Sequence, residues 1–134
     1  MAKLTEIEGV GEVFAQKLAD AGVHTTDELL EKAATPKGRA EIAEKAQVSE
    51  KQVLGWTNRV DLFRVKGVGS EYADLLEVSG VDTVPELAQR NPEHLFKKMI
   101  EVNDEKHLVR GMPTEGHVEG WVAQAKKLPR KITY

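Results

Sequence analysis

Two short glycine-rich segments hold the residues whose types and spacing are best suited to chemistry. Hairpin 1 is Ile7-Glu8-Gly9-Val10-Gly11, and hairpin 2 is Val65-Lys66-Gly67-Val68-Gly69. Each opens a segment with helical spacing of apolar residues, which predicts a tight turn between two helices. Glycine adopts positive φ and lets an anion approach the backbone, and the amides at a helix start carry partial positive charge. Both segments therefore favour binding of a phosphate by main-chain amides.

Charge separates the two hairpins. Hairpin 1 is flanked by Glu6, Glu8 and Glu12, which would repel a phosphate. We therefore expect hairpin 1 to be a structural turn. The residues of this turn are Gly9, Val10 and Gly11.

Hairpin 2 has the more favourable charge. Arg64, Lys66 and Ser70 surround it, and only Glu71 and Asp74 oppose them. A phosphate contact here would use the amides of the hairpin, with Lys66 and Arg64 as counter-charges. The amides are those of Gly67, Val68 and Gly69. The sequence leaves open the alternative that hairpin 2 is also only a structural turn.

Two further groups of residues allow either a binding or a structural interpretation. Lys97-Lys98 and the basic run at 126–131 would add a basic strip. Positive charge also complements the dipole at a helix end, so we favour a solvated helix end for the run. Trp56 and Trp121 could stack on exposed bases, but their helical spacing with neighbouring valines favours packing in the core.

The sequence contains no recognisable catalytic constellation. Cysteine is absent, which excludes disulfides, thiol nucleophiles and cysteine-ligated metal centres. The histidines lack zinc-motif spacing, and the acidic residues are spread at solvent-face spacing instead of being clustered as in a metal-dependent nuclease. No strand precedes the first Gly-Val-Gly and a third glycine is missing, so it is not a dinucleotide fingerprint, and nothing resembles a P-loop. We expect a non-enzymatic protein without metal or cofactor. The histidines are His24, His94, His107 and His117.

Composition is typical of a globular protein. The chain has 134 residues, of which 40% are hydrophobic and 31% charged, and its formal net charge is −3. No apolar run approaches the ~20 residues that span a bilayer, and no signal-peptide core follows the first residues, so we expect a cytoplasmic protein. Residues 1–61 carry 8 basic and 11 acidic side chains, whereas residues 62–134 carry 11 of each. A polyanion would therefore meet the second half first.

An internal repeat organises the chain. At an offset of 58 residues, eleven positions of the first half meet residues of the same type in the second half, and from Ser49 onward the offset becomes 65. We therefore predict unit 1 at 1–61 and unit 2 at 62–134, with about seven additional residues in a loop near 103–113. The first residues of the matching pairs are Ile7, Gly9, Val10, Gly11, Ala15, Leu18, Gly22, Val23, Thr25, Glu28 and Leu29.

Every element predicted from this pattern is helical. We expect nine helical segments in two five-element units that share the 50–64 helix, and therefore an all-α fold. Side chains typical of N-caps precede most of the predicted helices, while Gly22 and Gly80 end two of them. The predicted caps are Thr25, Thr35, Ser49, Ser70, Thr83, Asn91 and Thr114.

The spacing apolar-x-Gly-apolar-Gly-x-x-x-Ala-x-x-Leu resembles the helix-hairpin-helix motif, and it occurs in both units. The residues that carry it are Ile7, Gly9, Val10, Gly11, Ala15 and Leu18, and then Val65, Gly67, Val68, Gly69, Ala73 and Leu76. The extended pattern is similar to the C-terminal domain of the α-subunit of RNA polymerase, to recombinase N-terminal domains and to the acidic repeats of a transcription elongation factor. The tandem resembles a domain-of-unknown-function family built from paired helix-hairpin-helix units.

Two functions follow from these observations and from the resemblance. The first is weak, salt-dependent binding of DNA or RNA backbone through hairpin 2, because hairpin backbones contact phosphates in DNA-binding members of the resembled family. The second is a protein-interaction module in which acidic unit 1 docks a basic partner, as the resembled acidic repeats do. The net charge favours the second function and the hairpin geometry favours the first. The sequence does not decide the oligomeric state.

Overall fold

The computed structural model describes residues 2–134, and these residues form eight α-helices and one short 3-10 helix. They contain no β-strand, only an isolated bridge between Lys3 and Thr25. The predicted all-α fold is therefore confirmed. The 3-10 helix is Leu4–Glu6, and the α-helices are α1 (Glu12–Asp20), α2 (Thr26–Lys32), α3 (Pro36–Ala46), α4 (Glu50–Leu62), α5 (Ser70–Val78), α6 (Val84–Ala88), α7 (Pro92–Lys106) and α8 (Glu115–Lys127).

Contacts divide the chain into two compact units. Unit 1 runs to Asp61 and also includes Lys131–Tyr134, whereas unit 2 is Leu62–Arg130. In unit 1, α1 packs on α3 and on the 3-10 helix. In unit 2, α8 packs on α6 and α7, and α5 packs on α7. The last four residues thus group with unit 1, although the sequence repeat places them in the second half.

Side-chain caps explain where six of the eight helices begin. At each of these helix starts a side-chain oxygen accepts a hydrogen bond from the amide three residues later. Such a cap stabilises a helix by about 1 kcal/mol. One predicted cap is wrong: α5 begins after Gly69, and Ser70 is its first helical residue. The observed caps are Thr25, Thr35, Ser49, Thr83, Asn91 and Thr114.

The additional residues of unit 2 lie partly before the end of α7 and partly after it, since the offset between the units is 58 residues at first, 60 at this helix end and 65 beyond it. Gln47 and His107, with φ of 59° and 53°, end α3 and α7 at equivalent left-handed positions 60 residues apart. The prediction that the loop starts at 103 is wrong, because α7 continues to Lys106. Asn103 instead holds the loop that follows, since its side chain donates to the Val109 carbonyl (3.2 Å) and accepts from the Val109 amide (2.9 Å).

Each unit buries its own set of apolar side chains. In unit 2 a single cluster joins all four helices. One position in unit 1 departs from the helical pattern: the spacing predicts Val13 on the apolar face of α1, but this side chain is 70% exposed. The buried hydrophobic residues of unit 1 are Leu4, Ile7, Val10, Leu18, Val23, Leu29, Ala33, Ile42, Ala43, Ala46, Val53, Trp56, Val60 and Ile132.

The segment Lys131–Tyr134 is held on unit 1 by main-chain and arginine contacts. The Thr133 amide donates to the Ala34 carbonyl at 2.8 Å. Arg39, only 5% exposed, donates from Nη1 to the Ala33 carbonyl (2.9 Å) and from Nη2 to the Thr133 carbonyl (2.7 Å). Ile132, which directly precedes Thr133, is buried. The segment is therefore an integral part of unit 1.

Candidate anion-binding hairpins

Hairpin 2 is a tight turn fixed by apolar burial and one glycine. Val65 and Val68 are buried, and the Val68 amide donates to the Val65 carbonyl at 3.1 Å. Gly67 lies between them with φ +94°, a conformation that L side chains rarely adopt. The turn exposes Lys66, Gly67 and Gly69 to solvent while its valines enter the core.

Hairpin 1 has the same geometry. The Val10 amide donates to the Ile7 carbonyl at 3.0 Å, and both side chains are buried. Gly9 has φ +92°, within 2° of its equivalent Gly67 at +94°. The repeat seen in the sequence therefore extends to the backbone conformation of the two turns.

The helices that follow the hairpins differ from the other six in how they begin. The N-cap of α1 is Gly11 and that of α5 is Gly69, and neither helix has a side-chain cap. The first amides of a helix have no acceptor within the helix. No hydrogen bond joins the amides of Gly69, Ser70 or Glu71 to an acceptor in residues 2–134. These amides can therefore donate to an anion outside the protein.

Gln124 fixes hairpin 2 to α8. Its Oε1 accepts from the Lys66 amide at 3.0 Å, and its Nε2 donates to the Lys66 carbonyl at 3.3 Å. This paired contact sets the position of the main chain at Lys66. Sequence reasoning missed Gln124, although it follows Trp121 by three residues and therefore lies on the same helical face.

The predicted basic residues of hairpin 2 have different positions. Lys66 is exposed, and its ammonium group makes no ion pair within residues 2–134. Arg64 is half-buried and donates to the Pro129 carbonyl, so it anchors the chain beyond α8. Of the two predicted counter-charges, Lys66 is the more exposed, and it is therefore better placed to pair with an anion from solvent.

The predicted hairpin amides also divide into two kinds. The Val68 amide is used inside the turn by the Val65 carbonyl, which excludes it as a phosphate donor in this conformation. The Gly67 and Gly69 amides make no hydrogen bond to residues 2–134. Donation to an anion would therefore extend from the hairpin glycines into the first turn of α5.

The two tryptophans support the hairpins from beneath. Trp121 is 4% exposed and its ring centroid lies 5.4 Å from that of Tyr72, while in unit 1 the corresponding Trp56 and Phe14 centroids are 5.1 Å apart. The predicted core packing of both tryptophans is confirmed. A Cβ at Gly67 would lie 3.0 Å from Trp121 Nε1, so the ring edge directly approaches the turn.

A shallow cleft of about 310 Å³ opens between hairpin 2 and the first half of α8. Gly116 and Gly120 contribute no side chains to its helical wall. Tyr72, which also lines the cleft, donates from its hydroxyl to the Gly111 carbonyl at 2.8 Å. The residues that line the cleft are Lys66, Gly67, Tyr72, Gly116, His117, Gly120, Trp121 and Gln124.

One family model matches residues 8–128 of the chain, and its description is Domain of unknown function (DUF4332). The match covers most of the 134 residues. The chain belongs to the DUF4332 family. No curated protein and no solved structure matches it.

The DUF4332 match includes hairpin 2 and all of hairpin 1 except Ile7, and it ends at Leu128, so it contains Trp121 and Gln124 but not Lys131–Tyr134. All residues of the cleft and of the uncapped start of α5 thus lie within the range that the family model matches. The Arg39 contact to Thr133 depends on residues outside the matched range.

The other candidate residues have structural or solvent-exposed positions. His117 completes the capping box of α8 by accepting from the Thr114 amide at 3.2 Å, and His24 Nδ1 lies 3.5 Å from Glu28 Oε1. Lys97 pairs with Glu93 at 3.3 Å on the surface of α7. Within residues 2–134, no three metal-binding side chains are grouped, and no helix is long and apolar enough to cross a membrane.

Proposed function

We propose that this DUF4332 protein is a non-enzymatic module that binds nucleic-acid backbone through hairpin 2, without sequence preference. The observation that carries the proposal is the start of α5, where uncapped amides adjoin an exposed, unpaired Lys66. In the six other helices a side chain satisfies the amide three residues after the N-cap. In α1 and α5 no side chain bonds this amide, which in α5 is that of Tyr72, and α5 has a lysine close to its start.

The mechanism is phosphate binding at a helix start. A phosphate oxygen accepts hydrogen bonds from the amides of Gly69, Ser70 and Glu71, where the α5 dipole places partial positive charge. The Lys66 ammonium supplies the counter-charge. Because these contacts reach phosphates and not base edges, they carry no sequence information. Val68 contributes by closing the turn, and Arg64 anchors the chain beyond α8.

The charge of unit 2 limits the affinity. It carries 10 basic and 11 acidic side chains, a net of −1, so no broad positive field surrounds the hairpin. One or two phosphates contacted at a single hairpin give a slope of roughly −1 to −2 for log affinity against log salt. Binding should therefore be weak and seen best at low ionic strength.

The first test is fluorescence anisotropy of labelled duplex and single-stranded oligonucleotides over a salt series. Lys66→Glu should weaken binding at low salt by about tenfold and make the salt slope shallower by about one, because one phosphate contact is lost. Lys45→Glu is the matched control, since it changes net charge equally at an exposed position of α3 in unit 1.

Three results have distinct meanings. Weaker binding by Lys66→Glu with little change for Lys45→Glu supports hairpin 2 as the site. Equal losses in both variants would show that net charge alone controls binding, which contradicts the proposal. Absence of binding by the wild-type protein even at low salt would also contradict it.

A second candidate function is protein interaction, in which acidic unit 1 docks a basic partner. Val13 is 70% exposed on α1 and directly follows Glu12 in the sequence, where unit 2 has Glu71. Glu6, Glu8 and Glu12 precede this valine, and their negative charge fits a partner with basic side chains. A labelled peptide with alternating lysine and leucine should bind the wild-type protein and bind Val13→Asp at least fivefold more weakly.

A further inference from the structure

The indole nitrogen of Trp121 is a hydrogen-bond donor that the protein does not use. The residue is 4% exposed, yet its N–H has no acceptor within residues 2–134. Tryptophan N–H groups usually find an acceptor, and one without a partner in the protein donates to water or to a ligand. The ring is held by Tyr72 and by the core of unit 2, so its direction is fixed.

This nitrogen faces the cleft beside hairpin 2. Trp121 lines the cleft, and its Nε1 lies 3.0 Å from the position that a Cβ on Gly67 would take. The fully enclosed side-chain polar atoms without a partner in residues 2–134 are Asn58 Oδ1 and Ser79 Oγ, so the indole nitrogen is not sealed from solvent. An acceptor that enters the cleft can therefore reach it.

The wall of the cleft admits such a group. Gly116 and Gly120 are four residues apart on α8 and both are exposed. A Cβ at Gly120 would have no atom within 4 Å, so space lies directly over the helix there. Glycine is unfavourable inside a helix, and its use at this site leaves room for an incoming group beside the indole.

We infer that the Trp121 indole N–H donates a hydrogen bond to a phosphate oxygen of the nucleic acid bound at hairpin 2. The inference rests on the proposed function and adds to it a side-chain donor from α8. The cleft is lined by Lys66 and Gly67 and not by the first residues of α5, so the indole takes an oxygen of an adjoining phosphate on the backbone that the start of α5 binds. Trp121 thus both packs in the core and contacts the ligand.

Nuclear magnetic resonance of the full chain, with 15N-labelled tryptophan, tests this contact without a change to the site. The protein has two tryptophans, hence two indole N–H signals, and Trp56→Phe assigns them. Titration with a duplex oligonucleotide at low salt should shift the Trp121 signal downfield and leave the Trp56 signal in place. A parallel titration with inorganic phosphate distinguishes a general phosphate site from one that requires the polymer.

Two variants measure the contribution to affinity. Trp121→Phe keeps an aromatic ring but removes the N–H, and we expect roughly tenfold weaker oligonucleotide binding because a charge-assisted hydrogen bond is lost. Gly120→Leu fills the cleft at an exposed helical position and should weaken binding similarly without harm to folding. The matched control is Gly55→Leu, at the equivalent position of α4, which should leave affinity within twofold.

The outcomes separate this inference from the function on which it rests. If the wild-type protein binds the oligonucleotide but the Trp121 signal stays in place, the indole contact is refuted and backbone binding at hairpin 2 survives. If Gly120→Leu binds as tightly as wild type, the cleft is not used and the inference fails as well. If no oligonucleotide binds at low salt, both proposals are overturned.

Discussion

Gly67 satisfies two demands at one residue. Its φ of +94° disfavours any L side chain, and a Cβ would approach the Trp121 ring at 3.0 Å. Gly9 has nearly the same φ, but the corresponding distance to Trp56 is 3.9 Å, an ordinary contact. The two equivalent glycines therefore differ in how closely a Cβ would approach the tryptophan ring, and not in backbone conformation.

This difference predicts unequal losses of stability. Gly9→Ala should lower the free energy of unfolding by about 1 kcal/mol, because only backbone strain is added. Gly67→Ala should cost about 2 to 3 kcal/mol, because the ring of Trp121 must also move. Urea denaturation followed by circular dichroism measures both. Equal losses would mean that the Trp121 approach carries no energetic weight.

Individual residues show where prediction from the sequence ends. The burial of Trp56 and Trp121 can be predicted because helical spacing with valines reports which face is apolar. The roles of Gln124 and Arg39 cannot be predicted in this way. Both act through carbonyls that are distant in sequence, separated by 58 residues for Gln124 and 94 for Arg39, and no local pattern encodes such contacts.

At the scale of elements, helix starts are predicted more accurately than helix ends. Threonine, serine and asparagine at N-caps act locally through the amide three residues on, so sequence suffices. The end of α7 escapes prediction because Asn103, Asp104 and Glu105 have loop composition. The helix nevertheless continues to Lys106, and the Asn103 side chain in its last turn holds Val109 by two hydrogen bonds.

The uncapped helices give a test in which stability and binding move in opposite directions. Gly69 has extended φ and ψ of −101° and −164°, and a Cβ there meets no atom within 4 Å, so Gly69→Asp introduces an N-cap without strain. We expect α5 to gain about 0.5 to 1 kcal/mol of stability from the cap and the dipole. Oligonucleotide binding should be lost, because the new carboxylate occupies the position of the phosphate.

Hairpin 1 supplies the matched control for that substitution. Gly11→Asp caps α1 in the same way, since Gly11 also has extended backbone angles and no neighbour within 4 Å. Thermal unfolding should show a similar gain in stability, while anisotropy should show unchanged binding. If Gly69→Asp still binds like wild type, the amides of α5 do not contact the phosphate.

At the scale of the whole molecule, residues 131–134 complete a unit that lies at the opposite end of the sequence. Deleting them removes Ile132 from unit 1 and deprives Arg39 of the Thr133 carbonyl. We expect unit 1 to lose about 2 to 4 kcal/mol of unfolding free energy, because an apolar side chain and charge-assisted hydrogen bonds are lost together. Urea titration of the two indole signals should show the Trp56 transition moving to lower denaturant.

Arg39→Met provides the comparison for this deletion. It retains the length of the aliphatic chain but donates no hydrogen bond, so it should reproduce part of the loss. Combining it with the deletion should cost less than the sum, because both changes break the Arg39 contact to Thr133. Fully additive losses would mean that Arg39 does not hold the segment.

The return of Lys131–Tyr134 to unit 1 also predicts an order of events during folding. Unit 2 is continuous in sequence, so every contact of its core forms within Leu62–Arg130. Unit 1 is completed by a contact between residues 94 positions apart, and closing so long a loop loses chain entropy before the contact can stabilise anything. We therefore expect unit 2 to fold first, because its collapse shortens the loop that must close before Lys131–Tyr134 can join unit 1.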